Sequence, residues 1–201
     1  MALTREQLVD AAVGILSEFG LADLSMRRLA RELDVQVGAL YWHVKSKQDL
    51  LVDVAARLLG SIHPPVRGTD TEPRAAVAGM LTELRTVLLP VPDSAEVVQL
   101  AQTMQPAAIQ PLTWLRDLLE DAGISAERSG WARHLLLNHL FGSVTVHQDR
   151  GSLQAVGSEA PGAPALDADA FAWGVEVVLD GLLGVRPGRA SAERPRIGPP
   201  V

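Results

Sequence analysis

The sequence predicts an all-α fold, on three observations. Apolar residues recur three and four apart along most of the chain, the spacing of one face of a helix. Helix-start signals stand in front of those stripes: Thr4-Arg-Glu-Gln7 has the form of a capping box, and Ser25 and Ser46 each precede a run of helix formers. No segment offers a competing strand pattern of alternating apolar and polar residues.

The first stripe, Leu8, Ala11, Ala12, Ile15, Leu16 and Phe19, predicts a helix that Gly20 stops. Ser25 caps a second, short helix whose inner face is Met26, Leu29, Ala30 and Leu33. Asp34 to Gln36 reads as a short turn, and a third helix follows over 37–44 with Leu40 and Val44 facing in. Ser46 and Asp49 cap a fourth helix over 47–62. His63 to Pro73 breaks the chain. Longer helices are expected over 74–88, 94–103, 106–121 and 126–149, with "LPVPD" and Gly123 as stops. Residues 150–167 are rich in Gly, Pro, Ala and Ser and read as a loop. The last helix, 168–185, carries Phe171, Trp173, Val175, Val178, Leu179, Leu182 and Leu183 nearly all round, which implies burial on two sides. The domains expected are a head over 1–46, a connecting helix over 47–62, a body over 63–186 and a disordered Pro/Gly-rich tail over 187–201.

Composition narrows the function. With 201 residues and 47% hydrophobic content the chain can bury a real core. No window offers about 20 apolar residues free of charge, so no membrane span is expected. "MALTREQLVDAA" has Arg and Glu where a secretory leader has an apolar run. Cysteine is absent, which excludes disulfides and thiolate metal sites and fits a cytoplasmic protein. The net charge of −6 is spread unevenly: residues 25–47 hold five basic residues against two acidic, a net +3, leaving −9 elsewhere. Screening limits distant charges to a reach of about 10 Å, so a local basic patch on an acidic body can still dock on phosphate. No enzyme is expected: there is no Gly-rich phosphate loop after a strand, no nucleophile elbow and no clustered carboxylates. His147 and Asp149, two apart, face different sides of their helix. His134, His139 and His147 lack a shared metal-ligand spacing, and neither a catalytic residue nor a metal or cofactor is expected.

The chemistry concentrates in "GALYWHVKSKQDLL", where Tyr41, Trp42 and His43 stand side by side before Lys45 and Lys47. A core helix needs apolar residues three and four apart, not three consecutive rings. Two short helices joined by a tight turn and buttressed by a preceding helix make a helix-turn-helix unit, whose second helix enters the major groove of DNA. If Leu40 and Val44 pin that helix to the body, Val37, Ala39, Tyr41, Trp42 and His43 are left to face the duplex or its rim. Lys45 and Lys47 extend phosphate contact to the start of the fourth helix, whose free N–H groups favour an anion. Arg27 and Arg28, on the first turn of the second helix, can add phosphate or base contacts. Other readings stand beside these: Trp42 as a satellite-core residue under the fourth helix, Val37 as cover for the core, and the arginine pair as a solvated face.

The segment "ADLSMRRLARELDVQVGALYWHVKSKQDLLVDVAARLL" resembles the DNA-binding domain of the TetR family of bacterial transcriptional repressors. The likeness runs from Leu3 to Leu59 and continues more weakly behind. It implies an all-α homodimer, with an N-terminal three-helix helix-turn-helix DNA-binding domain plus a C-terminal helical ligand-binding and dimerisation domain. Two heads would bind a palindromic operator in double-stranded DNA, and a small inducer would release it. The family's phosphate and sugar contacts fall on Arg27, Tyr41, Trp42, His43 and Lys47, and its base-reading positions on Val37, Gly38 and Ala39. The tetracycline repressor has Gln, Pro and Thr at those three positions. A different operator is therefore implied, met by apolar contacts suited to thymine methyls. The alternative is a DNA-binding regulator controlled by a protein partner or by no small molecule.

For an effector pocket the candidates are His63, Met80, Leu84, Val98, Met104, Trp114, Trp131, Leu135, Asn138 and His139. By resemblance, His63 falls where the tetracycline repressor has a drug-contacting His. That repressor's metal-binding His falls near Val98 or Gln99, so a magnesium–tetracycline complex is not expected. Asn138 and His139 read as polar anchors in an apolar cavity or as hydrogen-bonded core, and Trp114 and Trp131 as its lining or as core. In the family the dimer contact is a four-helix bundle. Residues 126–149 and 168–185, with Trp173, are too apolar for a monomer's surface and are expected to form it.

Overall fold

The computed structural model describes residues 3–65, 72–157 and 167–184, and every regular element among them is helical. α1 spans Arg5–Phe19 behind a completed capping box: Thr4 Oγ1 accepts from the Gln7 N–H at 3.2 Å, and Gln7 Oε1 accepts from the Thr4 N–H at 3.0 Å. α2 spans Met26–Glu32, capped by Ser25, and α3 spans Val37–Leu40. Asp34, at φ 50°, supplies the left-handed step that folds α3 back on α2, a conformation Asp tolerates better than most residues.

α3 is shorter than the expected 37–44. Past Leu40 the winding tightens instead of stopping: the His43 N–H donates to the Leu40 carbonyl at 2.9 Å, only three residues back. Helix ends commonly tighten this way, and here the chain must swing into the extended backbone of Ser46, which caps the next helix. Leu40 and Val44 are buried as the spacing required. Phe19 departs from the expected inner stripe. It is exposed at the end of α1, where the Arg28 guanidinium covers its ring at 3.7 Å from the centroid.

α4 spans Lys47–Leu58 and runs into a 3₁₀ turn at Leu59–Ser61, so the fourth helix ends in a different winding from the one expected. It buries Leu50, Leu51, Val52, Val54 and Ala55. Three consecutive buried residues cannot lie on one helical stripe, so α4 is covered on two sides: α1 packs on one, and α6, Ser94–Met104, on the other.

The body is built from α5 (Pro73–Leu88), α6, α7 (Gln110–Asp121), α8 (Ala126–Ala155) and α9 (Ala168–Leu183). Residues Pro106–Ala108 form a 3₁₀ turn rather than the start of α7. α8 continues beyond the expected end at 149 to Ala155. "RGSLQA" contains Gly but no Pro, and an internal Gly weakens a helix by about 1 kcal/mol without stopping it. The remainder of the expected loop, 158–166, and the expected tail lie outside the described residues.

α5 packs on α7, α8 and α9. Its orphaned C-terminal carbonyls are answered from α8, where Gln148 Nε2 donates to Leu88 and Leu89, each at 3.2 Å, and to the Val91 carbonyl at 2.7 Å. At its other end, Arg74 bridges Glu176 and Asp180, one turn apart on α9. α9 is buried along Phe171, Val175 and Leu179, while Trp173 is 71% exposed.

Leu40→Ala should destabilise the protein by about 2–5 kcal/mol in urea denaturation, the range for emptying a fully buried leucine site. A loss below about 1 kcal/mol would mean that α3 is not pinned by this side chain.

Candidate nucleic-acid interface and effector groove

The head presents its rings outward. Trp42 is 89% exposed, Tyr41 is exposed and His43 is half-buried. Trp42 therefore does not lie under α4, because the tightened turn after Leu40 turns its ring away from the core that Leu40 and Val44 enter. Gly38 is exposed, and Val37 and Ala39 are half-buried, with Val37 packed against the core edge. Arg27 and Lys45 are exposed, and Lys47 sits half-buried at the first position of α4 behind the Ser46 cap. Arg28 is held internally, by an ion pair with Asp23 and by the Phe19 ring. Rings, one basic residue of α2 and two around the start of α4 thus share one end of the molecule.

A contact between head and body ties this end down. Asp93, at φ 57°, precedes α6 but does not cap it. Its Oδ2 accepts from the Leu21 N–H at 2.7 Å, in the α1–α2 turn. Gly20 has φ 78°, and a Cβ there would stand 2.7 Å from the same oxygen. At the far end of α6, Gln105 borders a cleft of about 250 Å³ with Arg5, His43, Lys45, Asp49 and Asp53. α6 therefore lies along α4 and meets the head through Asp93 at its start, while Gln105, just past its end, faces the head across this cleft.

In the body, a groove of about 320 Å³ runs between α8 and α9, lined by Asn138, His139, Gly142, Ser143, Val146, Ala170 and Phe171. The His139 ring stacks on Phe171 with centroids 5.1 Å apart, and its Nε2–H donates to the Phe171 carbonyl at 3.0 Å. Gly174 makes this possible, since a Cβ there would stand 2.4 Å from the ring. Behind the wall, Arg85 is only 7% exposed. Its Nε–H donates to Ser143 Oγ at 3.1 Å, and its Nη2 has no hydrogen-bond partner among the described residues. Burial pushes its pKa down, opposed by the Asp167 carboxylate.

The profile "Bacterial regulatory proteins, tetR family" matches residues 8–58. The class A tetracycline repressor of Escherichia coli, from transposon 1721, is 31% identical over 207 residues, spanning 95% of this chain and 95% of that protein. The chain belongs to the TetR family. Solved members share the whole architecture. BioQ of Mycobacterium smegmatis is 34% identical with a TM-score of 0.79, covering 90% of this chain and 98% of that one. BioQ with its double-stranded DNA operator is 31% identical with a TM-score of 0.74, at the same coverage of 90% and 98%. The TetR family protein ActR of Streptomyces coelicolor, in complex with (S)-DNPA, is 26% identical with a TM-score of 0.77, covering 92% of this chain and 100% of that one.

Within this TetR-family fold the expected effector residues divide. Asn138 and His139 meet at the α8–α9 groove. Met80, Leu84 and Val98 are core, and Trp114 is half-buried on α7. His63 is exposed after the 3₁₀ turn, and Met104 is exposed at the end of α6. Trp131 is 69% exposed and Leu135 is also exposed, so neither lines the groove. They lie on the outward stripe of α8, which a helix with apolar residues on several faces does not reveal in advance. The sequence reading missed Arg85, although Leu81, Arg85 and Leu88, four and three apart, place it on the buried stripe. It also missed Asp93, which it read only as the end of the stop "LPVPD".

Gly20→Ala should cost about 1–3 kcal/mol, because alanine is strained at this φ and its Cβ would displace the Asp93 carboxylate. Chemical denaturation measures this. Wild-type stability in that variant would show that the head-to-body contact does not constrain the turn.

Proposed function

We propose that this TetR-family regulator is a homodimeric repressor that grips a palindromic operator with two heads and is released by a small molecule bound in its body. The observation that carries the reading is the outward presentation of Tyr41, Trp42 and His43 beside Arg27, Lys45 and Lys47, on a segment pinned by buried Leu40 and Val44. Tyr41 and His43 are suited to phosphate oxygens, Trp42 to sugar, and Lys45 and Lys47 to phosphates near the positive end of α4. Val37, Gly38 and Ala39 form the base-reading edge. With no hydrogen-bonding side chain among these three, discrimination leans on thymine methyls, Arg27 and DNA shape. Arg28 braces α2 instead of reaching outward. The operator complex of BioQ supports the DNA side of this reading.

Trp131 and Leu135 on α8, and Trp173 and Val177 on α9, expose large apolar side chains at four-residue spacing. Such stripes suit a four-helix contact between two copies. Asn138 and Gly142 continue the α8 stripe, so a second copy would roof the groove. The complex of ActR with (S)-DNPA supports ligand binding in the body. An occupied groove would shift α8 against α5 and α6, and α6 would carry the shift to α4 and the Leu21 contact. Coupling is reciprocal, so the operator-bound form must bind the effector less tightly.

Operator sequences selected from a random DNA pool provide the test. Lys47→Ala should weaken binding to all of them about equally and lower the salt slope by about 1. A change of sequence preference with an unchanged slope would contradict the phosphate role. Trp173→Glu should convert the dimer to monomer in sedimentation and abolish tight operator binding. A dimeric Trp173→Glu protein would remove α9 from the interface.

A further inference from the structure

We infer that the groove between α8 and α9 receives an anionic small molecule with an apolar body, whose charged head is drawn to Arg85 through Ser143. This rests on the effector reading and names the ligand class for that site. The first ground is an uncompensated buried cation. Arg85 is buried, forms no ion pair among the described residues, and leaves Nη2 without a partner. Removing a guanidinium from water without a counter-charge is costly, and buried charges are ordinarily paired. Among the described residues the acid that acts on it is Asp167, whose Oδ1 already accepts from the Asp169 and Ala170 N–H groups at the start of α9.

The second ground is the groove itself. Arg85 touches it through two wall residues, donating to Ser143 Oγ and lying 5.2 Å from the Phe171 ring centroid. Ser143 Oγ accepts from Arg85, so its own proton is free, and it has no acceptor among the described residues. The Asn138 amide on the same wall is likewise unengaged. Among the described residues the lining contains no Asp or Glu. A groove that offers proton donors, a buried positive charge behind them and Phe171, Val146, Ala170 and Gly142 as an apolar floor is complementary to a carboxylate or a similar anion on a hydrophobic frame. Its volume of about 320 Å³ suits a ligand of a few fused or linked rings.

The test compares two probes of equal shape, 2-naphthoate and neutral 2-naphthamide, by titration calorimetry on the full-length protein. Wild type should bind the anion about tenfold or more tightly than the amide. Arg85→Met, which replaces the charge with a side chain of similar reach, should lose that preference and keep its affinity for the amide. Ser143→Ala retains the charge and removes the relay, and should reduce the preference partially. It also serves if Arg85→Met does not fold. Equal affinities in wild type, a preference that survives in Arg85→Met, or binding of neither probe would overturn the assignment. So would conversion of Arg85→Met to a monomer, which would give Arg85 a carboxylate of the second copy as its partner. The effector reading fails by a different result: operator complexes that no member of a small-molecule library dissociates.

Discussion

The molecule depends on one helix being buried twice. α4 contributes Leu50, Leu51, Val52, Val54 and Ala55 to burial on two sides, so the core under the reading head and the core of the body are continuous through it. An interior packed at crystal-like density deforms in steps rather than smoothly. A shift of α6 along α4 therefore cannot be absorbed locally and must move α4 or open a gap. The Asp93 contact with the α1–α2 turn closes a second route from α6 to the head, and Gly20 is the residue that leaves room for it.

The arrangement of charge follows the same division. The acidic surplus belongs to the body and the basic patch to the head, where Arg27, Lys45 and Lys47 flank the outward rings. Arg28, equally basic in sequence, is used inside the head to brace Phe19 and Asp23. Within the body several polar groups have structural work: Gln148 answers the carbonyls at the end of α5, Arg74 spans two acids of α9, and among the described residues Arg133 and the less exposed Arg85 each keep a buried guanidinium nitrogen without a hydrogen-bond partner and form no ion pair. Of the two, Arg85 adjoins the groove where His139, Phe171 and Gly174 interlock.

Much of the fold was legible in the sequence, because the features that decide it are local. The Thr4 capping box, the Ser25 and Ser46 caps, and the stripe from Leu8 to Leu16 each act within one or two turns of chain. The pinning of Leu40 and Val44 was legible for the same reason. The tightened turn after Leu40 and the length of α8 were not, since both depend on where the chain must go next. Asn138 and His139 could be read as polar residues in an apolar helix. Phe171 could not, because it meets them only through the packing of α9 on α8, and Ser143, one turn beyond His139 on the same helix, acquires its partner Arg85 only through the packing of α5. Asp93 is the clearest case. In the sequence it is one residue of a helix stop, and only the contact with Leu21, 72 residues away, gives it a role.

The central claim is that α6 sets the position of the reading head through α4 and the Asp93 contact. The chain has no native cysteine, so Glu18→Cys, on the exposed side of α1, gives a single spin-label site per head. Pulsed dipolar spectroscopy of the labelled protein, with and without Asp93→Ala, measures how firmly the heads are held. The account predicts one narrow head-to-head distance in the parent, and a shifted or broadened distribution once Asp93 is removed. Superimposable distributions, or no dipolar signal in either protein, would contradict it.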